Sequence, residues 1–268
     1  FPLFLNIENS NPVSLFGGDS HCAAIDTNGE ILYIKGTTKV EHISLPKGEK
    51  AINVACCDKF VVSLSSNGQV FMSKNALKLS FFEVPELKGI RISMITGINE
   101  HCIAVTYDNK VFVFGNCFYS DGRLGLGINI KSTSKFTEIL SLHRHNIVSA
   151  YAGSFHSIFK SSNGNLLGCG DNTHGALPIL NSLGQNIHNL GAIAVDKASY
   201  CVAGFNSTAI FSNHYPEMNP NKNVDSTSSS FQPQNQNKTK KATSTSATSN
   251  YHPTDYNMSL TSITNDIS

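Results

Sequence analysis

Apolar and polar positions alternate along the first two thirds of this chain in short, recurring bursts. Val13–Ile34, Ile52–Met72, Ile92–Phe114 and Ile147–Leu167 each read as an apolar run, a small-residue turn, a second apolar run, an Asn-Gly-like turn and a third apolar run. Ile193–Phe211 reads as a worn fifth copy. The copies align on His21, Phe60, His101, His156 and Tyr200. These positions lie 39, 41, 55 and 44 residues apart (21 to 60, 60 to 101, 101 to 156, 156 to 200). An insertion, Gly115–Ser132, fills the longest interval. Seven positions after the aligned residue come Asn28-Gly29, Asn67-Gly68, Asp108-Asn109 and Asn163-Gly164, and in the fifth copy Ser207-Thr208. Asn-Gly between alternating apolar runs predicts a two-residue hairpin with a type I′ turn, both of whose central residues need positive φ.

The flanking runs are rich in β-branched and aromatic residues, as in Val111-Phe112-Val113-Phe114 and Val70-Phe71-Met72. Cys22–Ile25 and Val61–Leu64 are nearly continuous apolar runs, the pattern of strands covered on both faces. A further run closes several copies, at Val40–Leu45, Phe81–Val84 and Phe136–Leu142. Each copy therefore offers about four short strands, and four-stranded sheets repeated around an axis make a β-propeller. The expected organisation is a lead-in at 1–12 and an all-β propeller at 13–212, with repeats at 13–51, 52–90, 91–146, 147–191 and a partial one at 192–212. A tail at 213–268 follows, where Ser, Thr, Asn and Gln replace the apolar anchors; that composition predicts disorder.

These motifs resemble the regulator of chromosome condensation repeat. Ala152-Gly153-Ser154-Phe155-His156-Ser157 fits its Ala-Gly-x-x-His-Ser opening. Val111–Gly115 fits its middle, with Phe in place of Trp. Gly122-Arg123-Leu124-Gly125-Leu126-Gly127 fits its glycine loop, and Gly170–Leu177 is a second, poorer fit. The resemblance assigns structural roles to Gly18, His21, Gly29, Gly68, His101, Gly115, Gly125, Gly127, Gly153, His156, Gly164 and Gly170. It implies a rigid ring that binds a partner protein through its loops. Its members usually have seven blades, so five copies, and a chain that starts at Phe1, suggest part of a larger ring. It also implies two alternatives to a plain scaffold: guanine-nucleotide exchange on a small Ran-like GTPase, and chromatin or nucleosome binding. The plant ultraviolet-B photoreceptor shares the fold but senses light through tryptophans, and this chain has none.

Charge narrows the partner. With 20 Lys and Arg against 19 Asp and Glu, the chain lacks the basic balance of a direct nucleic-acid binder. The apolar Phe1–Leu5 run is too short to be a membrane segment. Seven scattered cysteines without a C-x-x-C pair read as buried free thiols, which points to the cytoplasm or nucleus. His21, His101 and His156 fall one per blade beside tight turns, where each can bond its own turn backbone; this pattern suits structure, not a metal. Gly122–Gly127 lacks the Lys-Ser/Thr of a phosphate loop and serves tight packing with positive φ. No nucleophile stands with an identifiable base, so neither catalysis nor a cofactor is expected. The candidate partner contacts are Tyr119, Asp121, Arg123, Asn172 and His174 on the two longest loops, Asn116–Ser134 and Asp171–Gly191, together with His143, Arg144 and His145.

Overall fold

A computed structural model describes residues 11–35, 39–117, 119–195 and 197–212. The tail at 213–268 and most of the lead-in lie outside the described residues. Four antiparallel meanders follow one another along the chain. Blade 1 comprises β1 (Pro12–Gly17), β2 (His21–Asp26), β3 (Ile31–Lys35) and β4 (Lys39–Ile43). Blade 2 comprises β5 (Ala51–Cys56), β6 (Val61–Ser65), β7 (Val70–Ser73) and β8 (Phe82–Glu83). Blade 3 comprises β9 (Ile92–Ile98), β10 (His101–Thr106), β11 (Val111–Asn116) and β12 (Ser132–Glu138). Blade 4 comprises β13 (Ile147–Ala152), β14 (His156–Ser161), β15 (Leu166–Asp171) and β16 (Asn186–Ala192). Blade 5 contributes β17 (Ala198–Ala203) and β18 (Thr208–Ser212). The first strands of successive blades touch, β1 to β5, β5 to β9, β9 to β13 and β13 to β17. They therefore line the axis of an arc. Among the described residues, no helix is long and apolar enough to cross a membrane.

The doubly apolar second strands explain the stacking. Val61 packs toward blade 1 with Ile25, Tyr33 and Phe71, whereas Val62 packs toward blade 3 with Ile95, Cys102 and Phe136. Cys102 and Ile103 divide in the same way between the blade 2/3 and blade 3/4 cores. Each large side chain so buried contributes roughly 1.5–3 kcal/mol. A single blade would leave both faces of its middle strand in water, so the blades stabilise one another.

The Asn-Gly turns differ from the type I′ expectation. Only their last residue is left-handed: φ is 80° at Gly29, 78° at Gly68, 65° at Asn109 and 87° at Gly164. Gly29 N–H donates to the Asp26 carbonyl at 3.0 Å and Asp26 N–H to the Glu30 carbonyl at 3.1 Å. This is the three-residue loop, a type I turn closed by a left-handed residue in a G1 bulge. The glycine has a second task. Its carbonyl accepts from the first strand of the next blade, Ala51 N–H to Gly29 at 2.9 Å, Ile92 to Gly68 at 3.0 Å and Ala198 to Gly164 at 3.0 Å. A Cβ on Gly29 would lie 2.6 Å from the Lys50 Cβ. The turn residue is small because the neighbouring blade rests on it.

The fifth copy is set in a different register from the one expected. In blades 1, 2 and 4 the turn after the first strand closes through Gly18 N–H to His21 O, Cys57 to Phe60 and Gly153 to His156. In blade 5 the matching bond is Gly204 N–H to Ser207 O at 2.8 Å. Ser207, not Tyr200, thus occupies the histidine position, and Ser207-Thr208 belongs to the first turn, not to the Asn-Gly turn. Tyr200 lies in the axial strand β17. The apolar Ile193–Val195 run forms no strand, because Ile193 N–H and Ala194 N–H bond to the Leu166 and Pro178 carbonyls of blade 4. Two boundaries also move. The expected Asp171–Gly191 loop ends in β16, and the Phe136–Leu142 run splits into the end of β12 and a 3-10 turn at Leu140–Leu142.

Candidate functional site

A meander sends alternate connections to opposite faces. One face carries the turns between first and second strands and the loops between third and fourth strands, so Tyr119, Asp121, Arg123, Asn172 and His174 share it. The other face carries the Asn-Gly turns and the blade-to-blade connections, including His143, Arg144 and His145. The eight candidates therefore do not form one site.

Three of them turn inward, which corrects their assignment as partner contacts. Arg123 and Asp121 are each only 2% exposed. Arg123 Nε donates to Asp121 Oδ1 at 3.0 Å, its Nη2 donates to Asp121 Oδ2, and its Nη1 donates to the Ser154 carbonyl of blade 4 at 2.6 Å. The guanidinium also stacks 4.7 Å from the Phe155 ring centroid. A buried arginine is tolerated because its planar fork is satisfied on both sides. The glycines around it make room: Gly122, at φ 87°, passes so close to Ile187 and His188 of β16 that a Cβ would lie 2.6 Å from the Ile187 carbonyl oxygen. Asn172 is buried as well. Its Nδ2 donates to the Ser182 carbonyl at 3.1 Å, and its Oδ1 accepts from Leu177 N–H at 2.7 Å, which folds the 172–185 loop on itself.

Two of the histidines, His101 and His156, bridge blades instead of bonding their own turns. His101 Nε2 lies 2.9 Å from Ser157 Oγ of blade 4, and His156 Nε2 lies 2.9 Å from Thr208 Oγ1 of blade 5. Ser157 and Thr208 hold the same repeat position, each pairing across with the last residue of its blade's first strand. Ser157 Oγ donates its one proton to the Arg123 carbonyl at 2.7 Å, so His101 donates from Nε2, while its Nδ1 is buried with no partner among the described residues. Burial, with Arg123 and His156 nearby, holds the His101 pKa well below its ordinary value. Burial lowers His156 to about 4. His21 Nδ1 meets Ser20 Oγ at 3.1 Å, but its Nε2 is buried with no partner among the described residues. All seven cysteines are free thiols, and burial pushes the Cys56 thiol up to about 12.

Blade 4, whose Ala-Gly-Ser-Phe-His-Ser opening forms one side of the blade 3/4 joint, is where the family comparison falls. Residues 147–176 match the regulator of chromosome condensation (RCC1) repeat. That stretch is β13, β14, β15 and the start of the loop after them. Over 146 residues the chain is 24% identical to the human protein described as probable E3 ubiquitin-protein ligase HERC6, covering 53% of this chain and 14% of that one. Human WBSCR16 superposes with a TM-score of 0.65 at 15% identity, over 78% of this chain and 60% of that one. Prp20p of Saccharomyces cerevisiae, described with its binding to Gsp1p and histones, superposes with a TM-score of 0.64 at 18% identity, over 75% of this chain and 55% of that one. The chain spans between 14% and 60% of the length of these three relatives. The fold is that of an RCC1-type β-propeller.

The long loops on the first face of this RCC1-like arc leave an apolar set in solvent. Tyr119 is 77% exposed, and Ile128, Ile130, Leu180 and Leu183 are exposed on the two long loops. His174 is exposed, with Nδ1 2.9 Å from Thr173 Oγ1. On the opposite face His143 Nε2 meets Glu138 Oε1 at 2.7 Å, and Arg144 and His145 are exposed. Phe155 and Phe205 escaped the sequence reading. Phe155 was legible as the aromatic of a small-residue turn, while Phe205 was hidden by the shifted register of blade 5.

Proposed function

We propose that this chain is a non-enzymatic protein-interaction module that binds a partner through the long-loop face of its propeller, in the cytoplasm or nucleus. The observation that carries this reading is the exposed apolar set Tyr119, Ile128, Ile130, Leu180 and Leu183 on loops anchored to a rigid sheet scaffold. Loops on rigid scaffolds bind without a large ordering cost. Arg123, Asp121 and Asn172 serve this face indirectly, by holding the loops in shape. The free thiols suit a reducing compartment.

A second reading, nucleotide exchange on a small Ran-like GTPase, is favoured by the fold shared with Prp20p, whose description names Gsp1p. Chromatin binding would need an exposed arginine anchor on a loop, and the Gly-loop arginine, Arg123, is enclosed with Asp121. The test is affinity capture from lysate with the full chain as bait, one arm stripped of nucleotide by a chelator. A non-GTPase protein retained in both arms supports the scaffold. A GTPase retained only in the chelated arm moves exchange ahead. Retention of nothing beyond what the heat-unfolded chain retains would sink both.

A further inference from the structure

The turns between first and second strands ring the axis on the long-loop face, and their chemistry changes around the arc. In blades 1, 2 and 3 they carry Asp19, Asp58-Lys59 and Glu100. In blades 4 and 5 they carry Phe155 and Phe205. Phe205 is 58% exposed, and its ring meets Phe155 edge-on, with centroids 5.1 Å apart. Phe155 in turn meets Tyr119 at 6.3 Å, so three aromatic rings form a row across blades 3, 4 and 5. The row is exposed but not loose. The Arg123 guanidinium lies against the Phe155 ring, and the Ser154 backbone beside it is tied to both Arg123 and the Gly204 carbonyl. Rigid aromatic anchors of this kind dominate interface energetics, because little rotamer freedom is lost when they are covered.

The other half of the rim sets the charge of whatever covers the row. Three carboxylates, Asp19, Asp58 and Glu100, stand against one ammonium, Lys59, which lies 2.9 Å from Glu100. Partial burial, with Asp19 and Glu100 close by, raises the Asp58 pKa from its ordinary value. Asp58 Oδ1 is enclosed without a hydrogen-bond partner among the described residues. A cation arriving at this edge relieves the repulsion among the carboxylates, whereas an anionic segment adds to it.

We propose that this rim docks a basic protein segment, whose apolar side chain lies over Tyr119, Phe155 and Phe205 and whose Lys or Arg reaches the Asp19, Asp58 and Glu100 edge. The proposal rests on the interaction reading above and adds the partner's chemistry to it.

The test is fluorescence anisotropy of the full chain with two labelled peptides, Gly-Arg-Lys-Phe-Leu-Arg-Lys-Gly and the same peptide with Glu in place of each Arg and Lys. The basic peptide is expected to bind about tenfold tighter or better. Phe205→Ser should weaken it by roughly tenfold, since truncating an aromatic anchor costs on the order of one power of ten or more. Glu100→Gln together with Asp58→Asn should weaken it several-fold and flatten its salt dependence. Equal or tighter binding of the acidic peptide overturns the proposal, as does a Phe205→Ser chain that binds the basic peptide unchanged. Both substitutions sit on the rim outside the blade cores, and circular dichroism of the variants checks their fold. If Phe205→Ser still captures the lysate partner, the interaction reading stands and this inference alone falls. If the unaltered chain captures nothing, the interaction reading itself falls.

Discussion

Two joints of the same arc are built from equivalent positions and end differently. At the blade 3/4 joint His101 reaches Ser157, Ser157 reaches the Arg123 carbonyl, and Arg123 is clasped by Asp121 and Ser154, so an unbroken chain of hydrogen bonds crosses the joint. At the blade 1/2 joint His21 occupies the same position as His101, but the residue opposite is Val61, and His21 Nε2 is left without a partner. The blade 2/3 joint avoids the problem by being apolar on both sides, with Phe60 and Cys102 in one core. A shared backbone arrangement thus accepts polar–polar or apolar–apolar pairs. Each histidine keeps one buried ring nitrogen without a partner among the described residues, Nδ1 in His101 and His156 and Nε2 in His21, so what the mixed pair lacks is the bond across the joint, worth about 0.5–1.5 kcal/mol. The repeat dictates geometry, while each joint's residue pair decides its strength.

Breaking the strong joint should have the largest effect. Arg123→Ala leaves Asp121 buried as an uncompensated charge, takes a donor from the Ser154 carbonyl and removes the cation from Phe155. The expected loss is about 3–5 kcal/mol of stability, read by urea denaturation. A loss under about 1 kcal/mol would show that the clasp is not what holds blades 3 and 4 together.

Acid should find the polar joints before the apolar one. An unfolded histidine protonates near pH 6.5. His156 in the fold does not protonate until about pH 4, because burial disfavours its charged form. Between these values the unfolded chain binds a proton that the native chain refuses, so stability falls as pH drops through 6.5 and levels off below 4. His156 alone accounts for about 3 kcal/mol of that fall. His101, lowered further, continues it in the same direction. In His156→Gln the slope of stability against pH over this range should shrink. An unchanged slope would place the titration elsewhere.

These joints also mark how far the sequence could be read. The strands, the turns and the stacking of sheets were legible because they recur, as with the Gly29, Gly68 and Gly164 turns, each preceded by an Asn. Arg123 was not legible. Its burial depends on Ser154 and Phe155, which arrive from the next blade, and a charged residue in a glycine loop reads as solvated until that cover is known. The Phe155–Phe205 contact was hidden for a related reason. The fifth copy has Ser207 where others have His, so an alignment on its aromatic Tyr200 passes over the Ala203-Gly204 pair that matches Ala152-Gly153. With Ser207-Thr208 placed at the wrong turn, Phe205 fell inside a strand instead of at the rim. The histidines were placed correctly but their bonds were not, because a hydroxyl one position further on in the next copy gives no local signal.

A smaller effect comes from Ser157→Ala, which strips His101 of its partner while leaving Arg123 in place. The expected cost is about 1–3 kcal/mol, the price of one stranded buried donor. Ser157 and Arg123 are in contact at one joint and both changes loosen it, so the two substitutions together should cost less than the sum of their separate effects. Strict additivity in a double-mutant cycle would mean that the two contacts are independent and that the joint is no network.

The weak joint offers the sharpest comparison, because it can be repaired rather than broken. Val61 is fully buried, and Thr has nearly its shape, so Val61→Thr introduces little beyond a hydroxyl. In an apolar core that hydroxyl would cost about 1–3 kcal/mol if it found no partner. Here it would occupy the position from which Ser157 and Thr208 meet His101 and His156, and His21 Nε2 is the group without a partner. The hydroxyl and the imidazole nitrogen should satisfy each other, leaving the variant within about 1 kcal/mol of the unaltered chain. The same Val61→Thr change made beside His21→Leu should carry its full cost, since nothing then answers the hydroxyl. The coupling between the two positions is therefore expected to be about 1 kcal/mol, favourable, in a double-mutant cycle followed by thermal unfolding. A coupling of zero would mean that the blade 1/2 joint differs from the blade 3/4 joint in its backbone and not only in the residue facing the histidine.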